Sequence, residues 1–66
     1  MIKISYDKQG DVLEIRFSEK EIQESEYVQE SGLVVDYDKD NNIVSVELVG
    51  FSKRVDKEIS EEVAAI

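Results

Sequence analysis

Apolar and polar residues alternate through most of the first fifty positions, and the alternation is written twice. Tyr6-Asp7-Lys8-Gln9-Gly10-Asp11-Val12-Leu13-Glu14-Ile15-Arg16-Phe17 returns 31 residues later as Tyr37-Asp38-Lys39-Asp40-Asn41-Asn42-Ile43-Val44-Ser45-Val46-Glu47-Leu48. Matching apolar residues stand at alternate positions: Leu13 with Val44, Ile15 with Val46, Phe17 with Leu48, and upstream Ile2 with Leu33 and Ile4 with Val35. A period of two is that of strands with one face buried. Asp7-Lys8-Gln9-Gly10 reads as a turn with Asp at its first position and Gly10 left-handed; Asp38 and Asn41 fill the equivalent places.

Between the two hairpins, Ser18 to Ile22 is polar and reads as a loop. Gln23 to Gln29 reads as an exposed edge strand, whose Glu24 and Glu26 discourage edge-to-edge association. Beyond Gly50 the period changes. Val55, Ile59, Val63 and Ile66 follow at steps of four, four and three, the stripe of one helix, with Ser52 or Asp56 as its cap. The spacing therefore predicts an α+β fold in a single domain, 1–66. An antiparallel sheet of four to five strands is built from two repeated β-hairpins, 1–17 and 33–49, with a loop and edge strand at 18–31. A C-terminal helix, 53–66, covers one face, because neither element buries its apolar side alone. Leu13 and Val44 belong to the core. The other face carries Val12, Val34, Ile43 and Val49, either scattered surface or a dimer seam.

At 66 residues the chain is near the lower limit for one self-sufficient core. It has no Cys and no His, so disulfides are excluded and a structural zinc site is disfavoured. Self-association is the device that remains, and a homodimer is expected. The formal charge of −8 opposes nucleic-acid binding, which draws its affinity from Lys and Arg, and fits a basic protein partner or a divalent cation. It also serves plain solubility. No stretch approaches the ~18 apolar residues of a membrane span, and the N-terminus does not resemble a signal peptide. The expectation is a cytoplasmic protein without nucleic-acid or membrane partners.

Asp36, Asp38 and Asp40 open a stretch that places acids at positions 1, 3, 5 and 12 of a calcium-loop count, ending at Glu47. Asn41 stands where that loop needs Gly, and the flanks alternate as strands where helices are required, so a hairpin turn is the plainer account. Glu14, Glu47 and Arg16 share the outward side of adjacent strands, an arrangement that suits a cross-strand ion pair better than acid–base catalysis. Only Ser–Lys pairs remain as nucleophilic machinery, and Ser52-Lys53 sits at a helix start. Catalytic residues, cofactors and enzymatic activity are not expected.

The run Ile4-Ser5-Tyr6-Asp7 with Asp11-Val12-Leu13-Glu14-Ile15-Arg16-Phe17-Ser18 resembles the opening of domain-of-unknown-function family 2283. Glu24-Ser25-Glu26, Val34-Val35-Asp36-Tyr37-Asp38, Asn42-Ile43-Val44 and Glu47 through Arg54 are similar to its later blocks, so the resemblance spans about residues 1–54. Val12-Leu13-Glu14 stands where the family more often has a small or apolar residue followed by Leu-Tyr. The resemblance implies no catalytic or ligand residues. Family members are small bacterial and archaeal proteins, some encoded beside suspected toxins, which implies an antitoxin-like binding role. The function expected is a non-enzymatic interaction module that binds a basic protein partner through Glu14, Asp36, Glu47, Glu24 and Glu26. Calcium binding at Asp36, Asp38 and Asp40 is the alternative, and a purely structural homodimer is another.

Overall fold

The computed structural model describes residues 2–65. Five strands form one antiparallel sheet: β1 (Lys3–Asp7), β2 (Val12–Arg16), β3 (Glu24–Val28), β4 (Leu33–Tyr37) and β5 (Ile43–Val49). A 3-10 turn (Phe51–Lys53) and one helix, α1 (Lys57–Ala64), complete the chain. The strand order is β1-β2-β5-β4-β3. Both sequence hairpins pair as hairpins, and the segment between them travels across the ends of β5 and β4 to become the far edge. That crossing is pinned at both ends, where Phe17 N–H donates to the Val44 carbonyl and Gln23 N–H to the Tyr37 carbonyl. Met1 and Ile66, the last residue of the helical stripe, lie outside the described residues.

Register decides what each face carries. On one face the rows read Tyr6, Leu13, Leu48, Leu33, Val28 and Ile4, Ile15, Val46, Val35, Glu26. On the other they read Ser5, Glu14, Glu47, Val34, Tyr27 and Lys3, Arg16, Ser45, Asp36, Ser25. The first face is the apolar one that the alternation predicts, and Leu13 and Val44 are buried as expected. Phe17, expected in the core, is 43% exposed.

The two turns are not copies. In the first, Asp7 accepts from the Gln9 N–H, and Asp11 rather than Gly10 takes the left-handed conformation (φ 56°). In the second, Asn41 is left-handed as expected (φ 67°), and a bulge at Asp36/Tyr37 shifts the register. Asp11 tolerates its backbone because a short polar side chain bonds locally there. It accepts from Tyr6 Oη (2.6 Å), from Ser52 N–H (3.0 Å) and from Ser52 Oγ (2.8 Å).

The expected cover is missing. α1 packs chiefly against the 3-10 turn, and none of its residues is buried. Asp56 caps it by accepting from Ile59 N–H, while Ser52 bonds to Asp11 instead. The physical reason lies at Gly50, whose positive φ (69°) delivers Phe51, not the helix, to the sheet. Phe51 is 4% exposed, its N–H donates to the Asp11 carbonyl, and its ring meets Tyr6 edge-on at 5.7 Å. Beyond that anchor the chain has only eight helical residues, about 12 Å of length against a five-stranded sheet roughly 19 Å across. Among the described residues no helix is long and apolar enough to cross a membrane.

Candidate functional site

The polar face holds the densest chemistry. Asp36 in β4 lies in one row with Ser25 of β3 and Ser45 of β5, and both hydroxyls donate to it: Ser25 Oγ to Oδ1, and Ser45 Oγ to Oδ2 at 2.6 Å. With its oxygens supplied, the carboxyl tolerates near-complete burial, at 2% exposure. In the next row Glu14 faces Glu47 directly across β2 and β5. One carboxylate oxygen from each of Glu14, Asp36 and Glu47 lies within 4.8 Å of the others.

At that spacing Asp36 and Glu47 do not both ionise freely. A hydrogen bond shared with Asp36 pushes Glu47 up from 4.5 to about 7; partial burial and the charges of Asp36 and Glu14 push the same way. Burial pushes Asp36 up too, but the hydrogen bonds from Ser25, Ser45 and Glu47 prevail and hold it below the usual carboxylate range. The pair therefore keeps its negative charge on Asp36 and its proton on Glu47. The Arg16 guanidinium reaches Glu14 only at 3.8 Å, since its Nε already donates to the Ser18 carbonyl at 3.0 Å. The expected ion pair thus forms within β2, between Arg16 and Glu14, and not across strands, where Glu14 and Glu47 make a like-charge row and Glu47 shares a proton with Asp36.

The five residues expected to bind a partner fall on both sides of the sheet. Glu14, Asp36 and Glu47 converge on the polar face. Glu24 and Glu26 sit exposed on β3 with their alternation toward the other face, where Tyr37 Oη donates to Glu26 Oε1 at 3.2 Å. The structure brings Asp36 together with Glu14 and Glu47, and employs Asp38 and Asp40 separately. Asp38, 6% exposed, accepts from the backbone N–H groups of Asp40 (2.8 Å) and Asn42 (3.0 Å), and those bonds, Asn42's first, hold its carboxyl low. Asp40 is exposed.

Asp11, Ser25 and Ser45 are the residues that the sequence reading passed over. Ser25 and Ser45 become visible as partners of Asp36 only once the register across three strands is known. Asp11 carries a signal in the repeat itself, because it is an acid where the second copy has Asn42. Arg54 is a further clamp: it donates to the Val49 and Ser31 carbonyls, and a Cβ on left-handed Gly32 (φ 72°) would meet its guanidinium at 1.8 Å.

A single-layer antiparallel sheet with a polar-face acidic trio, stitched at one end through Asp11 and Ser52, marks a small α+β domain. The chain belongs to the family described as "Protein of unknown function (DUF2283)", which matches residues 3–52. No curated protein and no solved structure matches it.

Proposed function

We propose that this chain is a binding module rather than an enzyme, and that it engages a basic protein partner along its acidic β3 edge. One observation carries the reading. Glu21, Glu24, Glu26 and Glu30 are all exposed along the end of the crossing segment, β3 and its turn, with no basic residue among them in sequence, whereas Glu19 pairs with Lys3 of β1 at 3.1 Å. Such a ridge gives a one-signed field that speeds encounter with a cationic surface and selects against anionic ones. β3 is also a sheet edge, hydrogen-bonded on one side only, so its outer backbone groups are available to an approaching strand. The polar-face trio is a weaker docking site, because Asp36 is enclosed and Glu47 is partly protonated near neutrality. Its contribution is to the sheet's own electrostatics.

The test is affinity capture from the source cell with the native chain and with the doubly reversed variant Glu24→Lys/Glu26→Lys. Capture of proteins of high isoelectric point is expected, weakening as salt is raised and falling at least tenfold in the variant. Equal capture by both chains, or a partner set without basic character, would contradict the proposal.

A further inference from the structure

The apolar face of the sheet is only partly covered within the chain: Leu13 and Val44 are buried on it, but the positions between and beyond them are not. β5 is the central strand, flanked on both sides, yet its Val46 and Leu48 still reach solvent, and Ile4 on β1 is 50% exposed. A layer of side chains above the sheet would enclose such positions. The dimensions agree: the molecule measures 37 × 27 × 16 Å, with a radius of gyration of 12.4 Å, where a compact chain of this length has about 11 Å. It exposes 4940 Å², whereas a compact monomer of 7.6 kDa exposes about 4,300 Å². The surplus is roughly 600–700 Å².

We infer that a second copy of this chain covers that face, the two sheets stacking apolar side to apolar side about a two-fold axis. Two arguments select this occupant. The surplus approaches the ~800 Å² that each partner commits to a stable interface. The charge lies elsewhere: among the described strands, the apolar face carries only Glu24 and Glu26, both at its β3 margin, while Lys3, Asp7, Glu14, Arg16, Asp36 and Glu47 point the other way. A cationic partner finds counter-charge there only at the β3 margin, and none over the apolar rows of the other four strands. A second copy finds the same Ile, Leu and Val surface and turns its own acids outward. The interface is therefore opposite to the seam of Val12, Val34, Ile43 and Val49 that the sequence offered, and the inference stands apart from the basic-partner reading.

Salt separates the two. Two like-charged copies repel, so screening tightens self-association, whereas it weakens capture of a basic protein. Sedimentation of the full chain from low to high micromolar concentration should give twice the 7.6 kDa mass, with the dimer favoured as salt rises. Ile4→Lys, at a half-exposed edge position that a folded chain tolerates, should raise the dimer Kd by roughly tenfold. Val46→Lys, at the centre of the face, should abolish the dimer. Val49→Lys, 45% exposed on the opposite face, should leave the Kd unchanged. A 7.6-kDa particle throughout the range would overturn the inference. So would a dimer that Val49→Lys dissolves while Ile4→Lys does not.

Discussion

The row Ile4, Ile15, Val46, Val35 and the row Lys3, Arg16, Ser45, Asp36, Ser25 lie next to each other along the strands and on opposite sides of one sheet. Hydropathy ranks them the wrong way round for burial. Ser45 and Asp36 are 0% and 2% exposed, while Val46, their neighbour on the central strand, is half-buried. The polar row is closed at Asp36 and Ser45, where each carboxylate oxygen of Asp36 has a hydroxyl donor on an adjacent strand. The apolar row is open because α1 and the 3-10 turn reach only one end of the sheet. Burial here follows where partners exist, and the proposed second copy is what would supply the apolar one.

The largest expected effect is at the closed end of the apolar face. Phe51→Ala removes the ring that packs on Tyr6 and should cost about 3–4 kcal/mol in urea denaturation. Tyr27→Ala, 63% exposed on the polar face, should stay within about 0.5 kcal/mol. Next comes Asp36→Ala. It strands the buried Ser45 hydroxyl and removes the partner of Ser25, and should cost about 2–3 kcal/mol, although it also removes a like charge from beside Glu14 and Glu47. A neutral or stabilising result would mean that repulsion outweighs hydrogen bonding in the trio.

A smaller effect sharpens the comparison through pH. Glu47 binds its proton more tightly folded than unfolded, so its contribution to stability is complete below 4.5 and is lost as the pH climbs through about 7. Glu47→Gln keeps a neutral side chain, so its melting temperature relative to the native chain should rise between about pH 5 and pH 8. Asp36, Asp38 and Asp11 act in the opposite sense. Their carboxyls are held below 3.8 in the fold, so the stability they give is lost as the pH falls below that value. An unchanged difference between native chain and Glu47→Gln across the range would show that Glu47 does not share a proton with Asp36.

The sheet was legible because period-two alternation at Ile2 to Tyr6, Leu13 to Phe17, Leu33 to Tyr37 and Val44 to Leu48 has one reading, and Asp7, Asp38 and Asn41 behave as turn residues do. The edge strand at Glu24–Val28 also emerged, despite a weak pattern. The helix was legible as a stripe, although it starts at Lys57 and not at 53, which leaves Val55 ahead of the cap; a stripe shows that Ile59 and Val63 share a side, not what they pack on. That depends on Gly50 and on the Asp11–Ser52 link, contacts 41 positions apart. The trio was half visible. Glu14, Asp36 and Glu47 were placed on one face by parity, while the row that pairs Glu14 with Glu47, and the two serines that enclose Asp36, follow from a register that no local pattern encodes.

The open apolar face is tested most directly by isotope-filtered NMR on a mixture of methyl-labelled and unlabelled chains. Methyls of Ile15, Val35 and Val46 should show contacts to protons of the unlabelled copy, and those of Val34 and Val49 should show none. Contacts from Ile15 and Val46 to Ile59 and Val63 of the same chain would mean that the helix covers the sheet after all, and would contradict the account.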